Sequence, residues 1–217
     1  MPLTLYAHPF SSYCQKVLVA LYENEIPFEY RTLEDPLATQ ELKARWPLAR
    51  FPVLVDDGRT VVESTIIIEH LMLEHGGRTR WLPADPLEAL EVRFLDRYFD
   101  NYVMTEMQKP VAAALKNNGD RKEQAMAEAR QALDLAYGWL EQKISGRTWA
   151  AGDTLSLADC AAAPSLFYAD WVHPIGAAFP NLRAYRSRLL AWPSFARAVD
   201  EARPYRSYFP LGAPDRD

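Results

Sequence analysis

Residues 3–17, Leu3-Thr4-Leu5-Tyr6-Ala7-His8-Pro9-Phe10-Ser11-Ser12-Tyr13-Cys14-Gln15-Lys16-Val17, decide the architecture, because they pass from a short β run into an amphipathic helix across a single turn. Leu3–Tyr6 alternates as a strand does, and Ser12 to Glu25 places Val17, Leu18 and Leu21 on one helical side. Working outward, Phe28 to Thr32 predicts a second strand and Gln40 to Arg45 a short polar helix. Pro52-Val53-Leu54-Val55, Asp56-Asp57-Gly58 and Thr60-Val61-Val62 spell a hairpin with an Asp/Gly turn. Ser64 to His75 closes the unit as a helix stopped by Gly76-Gly77. The predicted order is β-α-β-α-β-β-α.

After Arg80 the strand signals disappear. Asp85-Pro86-Leu87-Glu88 supplies an N-cap, a proline at the first helical position and an acid in the first turn. In the helix that follows, Leu90, Phe94, Tyr98 and Tyr102 form one row and Leu95, Phe99 and Val103 another, a stripe wide enough to face both a core and a partner. Pro110 is expected to kink or end it. Asn117-Asn118-Gly119 should turn the chain into a long helix carrying Leu133, Tyr137, Leu140 and Ile144, which stops at Gly146. Ser156-Leu157-Ala158-Asp159 starts another capped helix, and helices are predicted over Asn181 to Ala191 and Ser194 to Ala202. The expected organisation is an α/β unit over 1–77, a linker over 78–85 and an all-helical unit over 86–217.

Composition bounds the function. The 217 residues are 49% hydrophobic and 24% charged, an ordinary globular balance with enough chain for a sizeable core. The formal charge of -5 lacks the basic excess that a nucleic-acid partner calls for. Two cysteines, Cys14 and Cys160, are too few for a disulfide framework or a cysteine metal knuckle. No run of residues approaches the ~18 apolar positions of a membrane span, so a cytoplasmic location without a membrane partner is the expectation.

The chemistry concentrates at the first turn. A strand-to-helix turn aims free backbone N–H groups and the positive end of the helix dipole at whatever lies above it, and a thiolate is one anion stabilised there. Ser11 or Ser12 could donate a hydroxyl hydrogen to such an anion, or could simply cap the helix.

Together with Arg50-Phe51-Pro52-Val53-Leu54, Glu63-Ser64 and the element order, these residues resemble the glutathione transferase superfamily, whose amino-terminal domain has the thioredoxin-like fold. Ser11-Ser12-Tyr13-Cys14-Gln15-Lys16-Val17 looks like the glutaredoxin C-P-Y-C-x-[KR]-[VA] segment with serine for the first cysteine, and like the serine segments of tau- and zeta-type transferases. That alignment makes Ser11 the catalytic residue, whereas the theta- and delta-type arrangement would select Ser12. The resemblance implies glutathione as co-substrate. Phe51, before a cis Pro52, would pair with its cysteinyl backbone, Glu63 and Ser64 with its γ-glutamyl end, and Arg50 with its glycyl carboxylate. Leu82-Pro83-Ala84-Asp85-Pro86 and Ser156-Leu157-Ala158-Asp159 are similar to the family's linker and to its helix-capping box, so Asp159 is structural. A detoxifying conjugation and a homodimer paired through the helix beginning at Pro86 are what the family implies.

Other residues read more plainly. His70 and His75, five apart on one helix, are rotated by about 140° and should not share a metal. No metal is expected. Cys14 lies a turn inside the helix and reads as a packed thiol, although it occupies the resolving position of the redox motif; Cys160 sits in an apolar run. Phe10, Tyr102, Met104, Tyr168 and Trp171 are candidates to line an electrophile pocket or to be core. Two other functions share the fold: a non-catalytic ligand- or partner-binding member, and a glutathione-dependent oxidoreductase acting through Cys14.

Overall fold

The computed structural model describes residues 3–116 and 119–217, so the turn expected at Asn117-Asn118 lies outside the described residues. The chain runs β1 (Thr4–Ala7), α1 (Ser12–Glu23), β2 (Glu29–Thr32), α2 (Pro36–Arg45), β3 (Val53–Asp56), β4 (Arg59–Val62) and α3 (Ser64–Glu74). The strands form a mixed sheet in the order β2-β1-β3-β4, with β1 parallel to β2 and antiparallel to β3. Leu5 is registered against Tyr30 on one side and Leu54 on the other. Asp57 and Gly58 join β3 to β4 with φ of 44° and 82°, the two positive values of the tight hairpin turn predicted there.

Strand alternation sorts the side chains between two layers. Leu5, Leu54 and Val61 join α1 and α3 in the main core, while Tyr6, Val53 and Val55 pack under Ala38 and Leu42 of α2. The helix α2 begins four residues before the expected start, because Asp35 caps it by accepting from the Leu37 N–H at 2.9 Å and Pro36 takes the first position.

The remaining elements are helical: α4 (Pro86–Tyr98), a π-helical stretch over Phe99–Met104, α5 (Thr105–Leu115), α6 (Gly119–Lys143), α7 (Leu157–Val172), α8 (Pro180–Ala191), α9 (Pro193–Ala202) and a 3₁₀ segment over Arg203–Tyr208. Asp85 caps α4, accepting from Leu87 and Glu88 N–H groups at 2.9 Å each. Pro110 does not end the helix. It is buried on α5 together with Met107, and burial of that face compensates the one backbone bond that proline removes. The helix α7 is the axis of the core: Asp159, fully buried, accepts from Ser156 and Ala150 N–H groups and from the Ser156 and Tyr185 hydroxyls, the structural role expected of it. Gly77 is required where it stands, since a Cβ there would lie 2.3 Å from Asn24 Cγ. No helix among the described residues is long and apolar enough to cross a membrane.

One buried ion cluster joins the α/β part to the helical part. Lys16 on α1 reaches Asp96 Oδ1 at 2.6 Å and Asp100 Oδ2 at 2.8 Å, and donates to Thr65 Oγ1 on α3 at 2.9 Å. Arg97 closes the cluster from the solvent side, reaching Asp96 Oδ2 at 2.8 Å and Asp100 Oδ2 at 2.5 Å. Removing one partner of such a pair strands its counterions in low dielectric, so Lys16→Met should lower the unfolding free energy by about 3–5 kcal/mol in a urea titration. A loss below about 1 kcal/mol, the scale of a surface pair, would mean the cluster does not hold the two parts together.

Candidate functional site

Two helix N-termini converge beside the turn that precedes β3. Ser11 caps α1 in an extended conformation (φ -90°, ψ 124°), and its Oγ accepts from the Cys14 N–H at 3.4 Å. The Gln15 N–H donates to the Ser11 carbonyl at 2.8 Å, which leaves the Ser12 and Tyr13 N–H groups outside the intrahelical ladder. Ser11, not Ser12, is therefore the cap; Ser12 is the first helical residue and is buried. A hydroxyl that accepts from its helix through a lone pair can still donate its own hydrogen.

On the opposite wall, Glu63 holds a left-handed φ of 68°, uncommon for a residue with a side chain. The Ile67 N–H donates to the Glu63 carbonyl at 2.8 Å, so the N–H groups of Ser64, Thr65 and Ile66 make up the open first turn of α3. Between the two helices runs the Phe51–Pro52 peptide, cis as expected. Among the described residues no backbone partner takes the Phe51 N–H or carbonyl.

These residues line a cleft of about 700 Å³ that brings together Ser11, Arg50, Phe51, Pro52, Glu63 and Ser64. Arg50 is exposed at its rim. The sequence reading missed Tyr13, Trp46, Arg97, Asp100, Asn101 and Gln108, which also line it. Burial raises the Tyr13 phenol above its ordinary value, and the Asp100 charge raises it further, so it stands in the cleft as a neutral donor.

A second cavity of about 500 Å³ adjoins the first. Phe10, Ser11, Ser12, Phe51, Met107, Gln108, Val111, Tyr168 and Phe209 line it, with His8 and Glu34 paired at 2.9 Å on its edge. Of the five residues considered for an electrophile pocket, Phe10 and Tyr168 line this cavity, their rings 5.4 Å apart. The other three do not. Trp171 packs behind it against Phe10, Tyr168 and Phe209; Met104 is buried in the core; and Tyr102 lies on the outer face of the π-helical stretch beside Tyr98. A helical stripe does not tell which of its members meet a cavity, and the π-helical segment shifts the phase of every residue after Tyr98. Ser11, Phe51 and Gln108 line both cavities, whereas Ser12 lines only the apolar one.

Cys14 is fully buried beneath the turn, with its sulfur accepting from the His8 N–H at 3.4 Å. Burial pushes its thiol up to about 12 against the pull of the Ser11 hydroxyl and that N–H. Cys160 is also fully buried, and burial raises its thiol well above the ordinary value. His70 and His75, expected to point apart, both reach Asp56; His75 is the C-cap residue of α3, with a φ of -111°.

Comparison with known proteins agrees with this geometry. Residues 5–79 match the sequence model of the glutathione S-transferase N-terminal domain, and residues 102–193 match that of the C-terminal domain. A glutathione S-transferase of Pseudomonas putida is 31% identical over 159 residues, covering 72% of this chain and 70% of that protein. FtsZ-localized protein A of Caulobacter vibrioides is 32% identical over 180 residues, covering 77% of each. The crystal structure of a glutathione S-transferase from Rhodospirillum rubrum has a TM-score of 0.78 at 27% identity, covering 90% of this chain and 91% of that one. With both domain models matched in order along a sheet-and-helix unit followed by a helical one, the chain belongs to the glutathione transferase superfamily.

Proposed function

We propose that the chain is a glutathione transferase in which Ser11 stabilises the glutathione thiolate for attack on a small electrophile with an apolar body. The observation that carries this reading is the position of Ser11, a helix cap whose side chain lies on the boundary between a polar cleft and an apolar cavity. In this reading residues 1–77 supply the glutathione contacts: Phe51 through its backbone, Glu63 and Ser64 at the γ-glutamyl end, and Arg50 at the glycyl carboxylate. Residues 86–217, after a linker over 78–85, supply most of the electrophile wall, with Tyr168 and Phe10 facing each other across the domain boundary. The sulfur then sits where its proton is most readily lost. Each unit by which the bound thiol pKa falls corresponds to about 1.4 kcal/mol of preferential anion stabilisation, which one hydroxyl and an open helix turn can supply. The protein needs no separate base, since solvent takes the thiol proton before attack.

A homodimer completes the proposal. Leu90, Phe94 and Tyr102 are exposed while Leu95, Phe99 and Val103 are fully buried, and Trp139 of α6 stacks on Tyr98 at 4.3 Å to extend the exposed aromatic surface. A second copy of the same chain is the occupant the family resemblance favours, and light scattering at micromolar concentration should give twice the 24.7 kDa chain mass. A monomer mass would remove this part of the proposal.

One relative supports a second reading. FtsZ-localized protein A is named for where it localises rather than for a reaction, and a chain of that kind would keep the fold without turnover. Retention on immobilised glutathione together with turnover of at least one of a panel of electrophiles, maleyl-type acids included, supports the transferase. Failure of both, with no thermal shift at millimolar glutathione, supports the second reading.

Substitutions at the paired serines test the role of Ser11. Ser11→Ala should cut turnover by roughly 10²–10³ and move the apparent pKa of the pH–rate profile upward, besides losing a helix cap worth about 1 kcal/mol. Ser12→Ala should leave the profile in place; an alkaline shift in that variant alone would transfer the role to Ser12. Disulfide chemistry through Cys14 is disfavoured by its burial. Neither cysteine of the native chain should react with a disulfide reagent on the timescale of minutes, and both should react after denaturation. Rapid modification of one native thiol, lost in Cys14→Ser, would favour the oxidoreductase instead.

A further inference from the structure

Outside both cavities, at the hairpin and the far end of α3, three side chains converge that the proposed reaction does not use. Asp56 ends β3 at the hairpin turn, His70 lies on α3, and His75 follows its last residue. The His75 and Gly76 N–H groups both donate to the Leu71 carbonyl, at 2.9 and 3.1 Å, and Gly76 has φ of 64°. The second of these bonds reaches five residues back and ends the helix at His75, the C-cap residue, whose φ of -111° already departs from the helical value. Both rings then turn toward the hairpin. His70 Nε2 and His75 Nε2 each lie 2.8 Å from the same atom, Asp56 Oδ2. The ring planes are 66° apart, so the two nitrogens approach that oxygen from different directions.

The three potential ligand atoms all lie within 4.8 Å of one another. Two imidazole nitrogens and a carboxylate oxygen are a donor set that suits zinc and its transition-metal neighbours, whereas calcium and magnesium take oxygen. Ligand atoms of a zinc tetrahedron stand about 3.3 Å apart when the bonds are about 2.0–2.1 Å, so the two 2.8 Å contacts would open by about half an ångström and the two histidine nitrogens, within 4.8 Å of each other, would close by at most about 1.5 Å. The side chain of His70 is 9% exposed and that of Asp56 17%, which limits their freedom, while His75 at 30% leaves one side of the cluster open to water. The other histidines are arranged differently: His8 pairs with Glu34 and His173 with Asp134, each a single imidazole on one carboxylate.

We propose that Asp56, His70 and His75 form a binding site for one divalent transition-metal ion, zinc being the best match, with water in the remaining position. Because the ligands come from the β3–β4 hairpin and from the end of α3, the ion would pin one to the other. None of the three lines either cavity, which makes the role structural rather than part of the conjugation.

The test uses the full chain without an affinity tag, stripped with chelator and titrated calorimetrically with zinc chloride near neutral pH. One equivalent per chain with micromolar or tighter affinity is expected, with a rise in the thermal midpoint that grows with zinc concentration by mass action. Loss of an outer-shell partner of a metal already costs about 10–100-fold in affinity, so His70→Ala and His75→Ala should each weaken binding by about a hundredfold or more. His173→Ala should bind as the wild type does. The proposal is overturned if submillimolar zinc gives neither heat nor a thermal shift with the wild type, or if both ligand variants, shown folded by circular dichroism, bind zinc undiminished. Should the variants fail to fold, cobalt(II) added to the wild type decides: visible bands of a four-coordinate nitrogen–oxygen site are expected, and a spectrum of free aqueous cobalt would equally overturn the proposal. In that case the cluster is only a hydrogen-bonded tie between hairpin and helix.

Discussion

The ammonium of Lys16 is the fixed point of this molecule. It binds Asp96 and Asp100 of the helical part and donates to Thr65 of α3, all from a position one turn inside α1. Each of those elements presents one end to the cleft: α1 brings Ser11 and Tyr13, α3 brings Ser64, and the α4–π segment brings Arg97, Asp100 and Asn101. A charge this deeply buried is costly unless its partners stay in place, so the cluster penalises any sliding of the three elements relative to one another. The direction in which two open helix ends point is thereby tied to a core interaction rather than left to surface loops.

In the proposed reaction that geometry would let the turn act on an anion without a dedicated base. The first turns of both helices, the Phe51 backbone, which has no backbone partner among the described residues, and Ser11 all line one polar cleft. Donors that are already oriented do not reorganise when charge appears, and this preorganisation is worth more than the same groups would be in water. Beside them Cys14 shows the opposite environment. Its sulfur is buried, and burial outweighs the pull of the Ser11 hydroxyl and the His8 N–H and keeps it a thiol, whereas a sulfur placed above Ser11 would meet the open end of the helix.

Much of this was legible in the residues. The alternation of Leu5, Tyr6 and Ala7, the Asp57-Gly58 turn and the Asp85-Pro86 and Ser156-to-Asp159 caps are local signals, and local physics decides them. The cleft residues near Ser11, Pro52 and Glu63 were legible only because their order resembles a family. Whatever depends on packing was not. Pro110 sits inside a helix because its face is buried, and the π-helical stretch shifts Tyr102 and Met104 away from the cavity. The tail brings Phe209 back over the first turn from the far end of the chain. The convergence of His70 and His75 is not legible for a related reason: a rotation per residue places Cβ atoms, while two long side chains at a helix end can both reach a partner such as Asp56 that another element supplies.

The central claim is that the bound thiol is ionised by its position above Ser11. Ultraviolet difference titration of the thiolate of glutathione in complex with the protein tests it without any electrophile. The account predicts an apparent thiol pKa about 1–2 units below that of free glutathione in the wild type, returning toward the free value in Ser11→Ala while glutathione still binds. A wild-type complex that titrates like free glutathione, or a Ser11→Ala complex that keeps the depressed value, would contradict it.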